Sequence, residues 1–231
     1  MKTTLRFVAL LALAFLASSA AAPAQSPSQP ATTLVVFANR QTQKRLWPVL
    51  VSTLRRDAAA ASQSAPIDGD PQIILGGADI PGPEFPSRIE VELLGRCDDP
   101  WGADPPAKSG PLGYVRKDAG MIAPIIYIDC AQVSQLLSPQ TRSMTQRQRL
   151  SVTSEAISHV ILHEWIHIAT QSSAHNSRGI MQPALSLHEL TTPVAGTGSA
   201  SAKSQKKSRT ESGSDGGLLV RGFTLLIGDQ R

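Results

Sequence analysis

The sequence has little of what marks several common protein classes. Aromatic residues make up 4% of its 231 residues, too few for a surface that stacks the bases of single-stranded nucleic acid. No apolar run reaches the roughly 18 residues that a membrane span needs. The 17 glycines and 17 prolines disfavour long helical bundles and coiled coils. Apolar residues still make up 41% of the chain, so wholesale disorder is excluded and a folded core is expected.

The N-terminal segment has the pattern of a secretory signal peptide. Lys2 and Arg6 give it a positively charged start, and an unbroken apolar stretch follows at 7–17. The residues Ala22-Pro23-Ala24 match an A-x-A cleavage site. We therefore predict that residues 1–24 are removed and that the mature protein is secreted or periplasmic. Removal takes away two basic residues and no acidic ones, which lowers the formal net charge from +4 to +2. So small a charge gives no reason to expect a nucleic-acid partner.

The chain contains only two cysteines, Cys97 and Cys130. In an exported protein the default for such a pair is one disulfide bond. The alternative is that both are zinc thiolates, but neither belongs to the CxxC spacing that is typical of such sites.

The rest of the chain divides into segments of different composition. Residues 25–33 are predicted to be a flexible leader, 34–192 one domain, 193–217 a low-complexity linker and 218–231 a C-terminal apolar segment. Within the domain, apolar patterns predict strands at 34–38, 72–75, 89–93, 112–115 and 121–129, and helices at 46–61, 131–137 and 152–169. Ser138-Pro139 is expected to end the second helix, and Ser151 or Thr153 to cap the third. This order of elements is typical of an α+β fold.

All histidines of the chain lie within one stretch of 30 residues, and the other 201 positions have none. They are His159, His163, His167, His175 and His188. Core histidines would be scattered along the sequence, so this clustering indicates a metal site.

Three residues of the predicted helix 152–169 form an HExxH pattern: His163, Glu164 and His167. The two histidines are one helical turn, about 6 Å, apart, so both imidazoles can reach one zinc ion. Glu164 is rotated by about 100° from His163, where it can act as a general base on a water rather than as an equal ligand. The helix is otherwise apolar almost all round, and three titratable groups in a buried helix need a functional reason.

A catalytic zinc needs a third protein ligand, and two residues are candidates. His175 follows His167 by eight residues, in a polar stretch where the chain can turn back. Glu189 is the alternative, because zincins of the thermolysin type take a glutamate from a downstream helix. His159 is excluded as a ligand, since it lies about 12 Å along the helix from His167, and we expect it to be structural. Without a ligand role, His188 and Glu189 are expected on the surface of a short terminal helix.

The order of HExxH, a third histidine and a Gly-x-Met turn resembles the metzincin clan of zinc peptidases, and also short exported bacterial zincins with an HExxH…H…GIM pattern. The resemblance covers about residues 155–183. It implies Zn²⁺ as the cofactor and the following site residues: His163, His167 and His175 as ligands, Glu164 as the base and Met181 in a Met-turn. It also implies a zincin-like fold, a mixed sheet packed on an active-site helix, with an edge strand such as 112–115 that binds an extended peptide.

The sequence departs from the metzincin pattern between the second and third histidines. Metzincins have a glycine three residues after the second histidine, and only five residues separate their second and third histidines. Here Thr170 occupies the glycine position and seven residues, 168–174, intervene. The left-handed turn that glycine permits is therefore not expected at this position, and the longer, serine-containing connection has to loop out the extra residues.

Together these features predict an exported zinc metalloendopeptidase that acts on a peptide or protein substrate. Glu164 would take a proton from zinc-activated water and pass it to the leaving amine. One alternative is a thermolysin-type zincin with Glu189 as third ligand. The other is a non-catalytic envelope module that zinc or the disulfide stabilises. A purely structural zinc site, however, has no use for Glu164 and would more often have four protein ligands.

Overall fold

The computed structural model describes residues 32–77, 87–98 and 110–194, all of which belong to the compact unit Ala31–Arg231. The predicted signal peptide, most of the predicted leader and nearly all of the predicted linker and C-terminal segment lie outside the described residues. Within the described ranges, no helix combines the length and the apolar character that crossing a membrane requires.

A mixed five-stranded sheet forms the centre of the described fold. Its strands are β1 (Thr33–Phe37), β2 (Gln72–Leu75), β3 (Arg88–Leu94), β4 (Gly113–Asp118) and β5 (Met121–Asp129). They lie side by side in the order β2-β1-β3-β5-β4. The pairs β1–β2, β1–β3 and β3–β5 are parallel, whereas β4 is antiparallel to β5. The combination of a mixed sheet with helices that the sequence predicts is therefore present, and β4 lies at one edge of the described sheet.

The described residues also form five helices: α1 (Arg40–Arg45), α2 (Trp47–Ala61), α3 (Cys130–Thr141), α4 (Gln146–Thr170) and α5 (Leu187–Thr191). Helix α4 contacts β4 and β5 of the sheet as well as α2, α3 and α5. Every residue from Thr153 to His167 is consequently buried. A helix enclosed on all sides explains why its sequence is apolar almost all round.

The strands at 72–75 and 121–129 agree with their predicted bounds, but two helices extend beyond theirs. Helix α4 begins at Gln146 because the Thr145 hydroxyl caps the Gln148 N–H while the Gln148 side chain accepts the Thr145 N–H. The prediction of a cap at Ser151 or Thr153 is therefore wrong. It placed the start of the helix too late because the mostly polar first turn of α4 gives no hydrophobic signal. Helix α3 likewise continues past Ser138-Pro139 to Thr141, with Pro139 in its last turn.

Helix α1 has no counterpart among the predicted elements. The Asn39 side chain accepts the Thr42 N–H and caps its first turn. Its six residues, RQTQKR, include no apolar side chain, so hydrophobic periodicity could not reveal it.

The predicted disulfide links Cys97, just after β3, to Cys130, the first residue of α3. Their Cα atoms are 4.8 Å apart, within the range of about 4.4–6.8 Å that a disulfide spans. Both side chains are buried. The alternative of two zinc thiolates is therefore wrong, and the bond fastens the end of β3 to the start of α3.

The edge strand β4 approaches α4 at a glycine. A Cβ atom on Gly113 would overlap Cγ1 of Val160 and come within 3.0 Å of Cδ1 of Ile128. Only a residue without a side chain therefore fits here unless its neighbours move. Because Val160 lies one turn before His163, this contact sets the edge strand close to the functional part of the helix.

Candidate metal centre

The HExxH residues lie in the most enclosed part of α4. His163 is 1% exposed, and Glu164 and His167 are 0% exposed. Burying polar groups in an apolar environment costs free energy unless they find partners. Their partners therefore indicate what the site is built for.

The chain turns back immediately after α4, in the segment where the sequence lacks the metzincin glycine. Gln171, one residue after Thr170, has φ 50° and ψ 31° and so makes the left-handed turn. The left-handed turn thus lies one residue after the position of the metzincin glycine, and it directs the chain towards His175.

The structure brings His163, His167 and His175 together. Their ring centroids are 4.7 Å (His163–His167), 5.3 Å (His163–His175) and 4.9 Å (His167–His175) apart. One nitrogen from each ring lies within 4.8 Å of the others, so the three side chains could hold a metal ion. Glu189 is not a member of this group.

Backbone carbonyls fix the orientation of two of the rings. Nδ1 of His163 lies 2.7 Å from the carbonyl oxygen of Ile180, and Nδ1 of His167 lies 2.6 Å from that of Ser172. Because a carbonyl only accepts hydrogen bonds, each Nδ1 carries the proton and each Nε2 of the neutral ring presents a lone pair.

Hydrogen bonds do not satisfy the Nε2 atoms of the three rings. Those of His163 and His167 face each other at 3.1 Å, and two lone pairs cannot form a hydrogen bond. The Nε2 atom of His175 is buried without a hydrogen-bond partner among the described residues. A cation that accepts three nitrogen lone pairs would satisfy this donor set, so the residues present fit a metal ion.

Burial also keeps the three rings in the form that binds metals. Desolvation lowers the pKa of His163 to about 4, although the Ile180 carbonyl opposes this shift. Desolvation is likewise the main cause that lowers the pKa values of His167 and His175. Neutral imidazole is the metal-binding form, so the rings need not lose a proton near neutral pH.

Glu164 is a fully buried carboxyl group. Neither of its side-chain oxygens has a hydrogen-bond partner within the described ranges. Burial raises the pKa of Glu164 to about 8. A carboxyl group placed in this way next to a metal-ligand set is a candidate for proton transfer.

Met181 lies in a turn of the chain. Gly179 has φ 76°, and the Gln182 N–H donates to its carbonyl. Met181 is 9% exposed, and its carbonyl accepts the Asn176 N–H at 2.7 Å. The turn thus fastens the residue after His175 and also positions the Ile180 carbonyl on His163. Sequence patterns miss the roles of Ile180 and Ser172, because both act through backbone oxygens that every residue has.

The other candidates lie apart from the three imidazoles. Glu189 accepts hydrogen bonds from Ser186 and Gln182 as part of the cap of α5, and His188 is exposed on the same helix. His159 is 4% exposed, and its Nε2 has no hydrogen-bond partner in the described part of the chain. It lines a cavity of about 420 Å³ that Ile180 and Glu189 also line.

Comparison with known proteins does not assign a function to this site. No family model matches the chain, and neither a curated protein nor a solved structure matches it significantly. Its function is therefore inferred from the residues of the site.

Proposed function

We propose that this chain is an exported zinc-dependent endopeptidase of the metzincin-like zincin type, with His163, His167 and His175 as ligands and Glu164 as general base. One observation is the main support for this proposal. Three imidazole nitrogens converge beside a helix position whose carboxyl group is fully buried and has no described partner. A merely structural metal site would gain nothing from that carboxyl group.

Zinc is the metal that best suits this ligand set. Three neutral nitrogen ligands are typical of catalytic zinc, which keeps a fourth position open, whereas structural zinc more often has four protein ligands. When bound, zinc supplies Lewis acidity, which polarises a peptide carbonyl and makes a water molecule more acidic.

The side chains of the site have distinct tasks in this proposal. The Nδ1 bonds to Ile180 and Ser172 hold two rings in the tautomer that presents Nε2. Glu164 takes a proton from the water that attacks the peptide carbonyl. It gives this proton to the leaving amine as the C–N bond breaks, and the products are an acid and an amine.

A peptide substrate has a natural place along β4. This strand borders only β5 among the described strands, so within the described part of the chain its other edge could take an added strand. An extended peptide can bind such an edge through main-chain hydrogen bonds. The close contact between Gly113 and Val160 of α4 keeps this edge near the site helix.

Two other functions are less well supported. A thermolysin-type site would need Glu189, whose carboxylate is engaged by Ser186 and Gln182. A non-catalytic module agrees with the disulfide between Cys97 and Cys130, but it gives no role to Glu164, which has no hydrogen-bond partner among the described residues.

The test compares two matched substitutions in the mature, zinc-loaded protein. Glu164→Gln keeps the size of the side chain and removes the base, so casein cleavage should fall by about 10²–10⁴-fold with zinc content unchanged. Glu189→Gln should retain full activity and zinc. Equal activity in wild type and Glu164→Gln would refute the proposed mechanism. A wild-type protein that holds zinc but cleaves nothing in a broad peptide library would favour the non-catalytic module.

A further inference from the structure

The turn that ends α4 is formed by an unusual residue. The Gln171 N–H donates to the Ile168 carbonyl, and the Ser172 N–H to the His167 carbonyl. This is the Schellman pattern, in which the position of Gln171 is usually glycine. Glutamine rarely adopts a left-handed conformation, so other contacts must hold it there.

The side chain of Gln171 makes these contacts. Its Oε1 accepts the Ile122 N–H at 2.8 Å, and its Nε2 donates to the carbonyls of Ile122 at 3.1 Å and Ile168 at 2.8 Å. Ile122 precedes Ile125, the first residue of β5 that pairs with β3. The Gln171 amide therefore pairs with the backbone of Ile122 at a point that β3 does not reach.

The residues that follow Gln171 lead directly to the imidazoles. The Ser172 carbonyl accepts the Nδ1–H of His167, and the Ser172 hydroxyl accepts the Ala174 N–H at 3.1 Å. The Ser173 hydroxyl lies 3.4 Å from Nζ of Lys117 in β4. The connection to His175 is thus fastened to the sheet on both sides of Ser172.

We propose that Gln171 is a positioning residue of the metal centre. Its left-handed turn and its amide bonds to Ile122 hold the Ser172 carbonyl on His167 and bring His175 to the other two rings. The inference rests on the three-histidine site of the proposed function but not on peptidase activity. It explains how the chain dispenses with the metzincin glycine, because a clamped glutamine makes the same kind of turn one residue later.

Two substitutions distinguish the effect of the Gln171 amide bonds from that of its left-handed backbone conformation. Gln171→Ala removes the amide, whereas Gln171→Gly removes it and also suits the left-handed turn. Zinc affinity is measured by chelator competition, and the visible spectrum of the Co²⁺-substituted protein reports the ligand geometry. We expect both variants to bind zinc about 10–100-fold more weakly, with an altered cobalt spectrum. Gln171→Glu, which can still accept the Ile122 N–H, should lose less affinity than either.

Gln148→Ala is the matched control, because the Gln148 side chain also bonds to the backbone, at the opposite end of the same helix. It should lower the thermal stability and leave zinc affinity and the cobalt spectrum unchanged. Wild-type zinc affinity in both Gln171→Ala and Gln171→Gly would overturn the proposal. So would wild-type affinity in Gln171→Gly alone, since the backbone conformation would then suffice. A wild-type protein that binds zinc but lacks peptidase activity would end the proposed function and leave this inference intact.

Discussion

The Nε2 atoms of His163 and His167 lie 3.1 Å apart, while the Nδ1 atom of each ring is bonded to a backbone carbonyl. Two acceptors held face to face inside a protein are unfavourable unless a cation lies between them. The fold therefore maintains a local conflict that metal binding would relieve. Such a conflict is expected at a functional site, where structure is built for a ligand rather than for stability alone.

The first prediction concerns metal content. The mature protein should bind about one zinc ion per chain, and His163→Ala or His167→Ala should abolish this binding, because each removes one of two buried ligands. His188→Ala is the matched control, since His188 is exposed on α5, and it should bind zinc normally. Elemental analysis of purified protein measures the stoichiometry. Full zinc content in both the His163 and His167 variants would contradict the zincin interpretation.

The second prediction concerns the third ligand. His175→Ala should weaken zinc binding by at least about 100-fold, since loss of a supporting hydrogen bond alone typically costs about 10–100-fold. Glu189→Ala should leave zinc affinity unchanged and lower the thermal stability slightly, because its carboxylate caps α5 and accepts a hydrogen bond from Gln182. Chelator competition on both variants decides between the two candidates. The opposite ranking would assign the site to the thermolysin type.

Much of the core of this fold could be predicted from the sequence. The alternation along β3 predicts burial of one face, and the structure shows it. The apolar run of β5 predicts a strand, which is present, but only its alternate residues Ile122, Ile126 and Ile128 are buried. Helix α1 and the first turns of α4 escaped prediction because Asn39 and Thr145 stabilise them through polar caps. Hydrophobic patterns carry no information about such bonds.

The candidate site, like the fold, could be predicted only in part from the sequence. HExxH spacing places His163 and His167 one turn apart, so the pair could be predicted from helix geometry alone. The approach of His175 depends on the left-handed conformation of Gln171 and its bonds to Ile122. These are long-range contacts between α4 and β5, and local sequence cannot reveal them.

The third prediction concerns a buried carboxylate that links α2 to α4. Asp57 is 0% exposed, forms an ion pair with Arg56 and accepts the Ser158 hydroxyl at 2.8 Å. Asp57→Ala leaves the Ser158 hydroxyl without its acceptor and removes one of the two carboxylate partners of Arg56, the other being Glu155, and it should lower the free energy of unfolding by roughly 2–4 kcal/mol. Urea titration measures the loss, with Asp70→Ala at an exposed position as the control. A change below about 0.5 kcal/mol, the level of an ordinary surface substitution, would show that this link is dispensable.

The last prediction tests the contact that sets β4 against α4. An added methyl group at Gly113 would overlap Cγ1 of Val160, so Gly113→Ala should destabilise the protein by about 1–3 kcal/mol through overpacking. Gly77→Ala is the control, because a Cβ atom at Gly77 meets nothing within 4 Å. Urea titration of both variants gives the change in unfolding free energy.

A second substitution separates steric conflict from a backbone requirement at this glycine. Val160→Ala removes the clashing methyl groups, so the double variant Gly113→Ala/Val160→Ala should be more stable than the sum of the two single losses predicts. Strict additivity would mean that the two residues do not meet. Because β4 is the proposed peptide-binding edge, Gly113→Ala should also raise KM for peptides more than Gly77→Ala does, as the strand is pushed away from the site helix. An unchanged KM in a destabilised Gly113→Ala protein would indicate that peptides bind elsewhere.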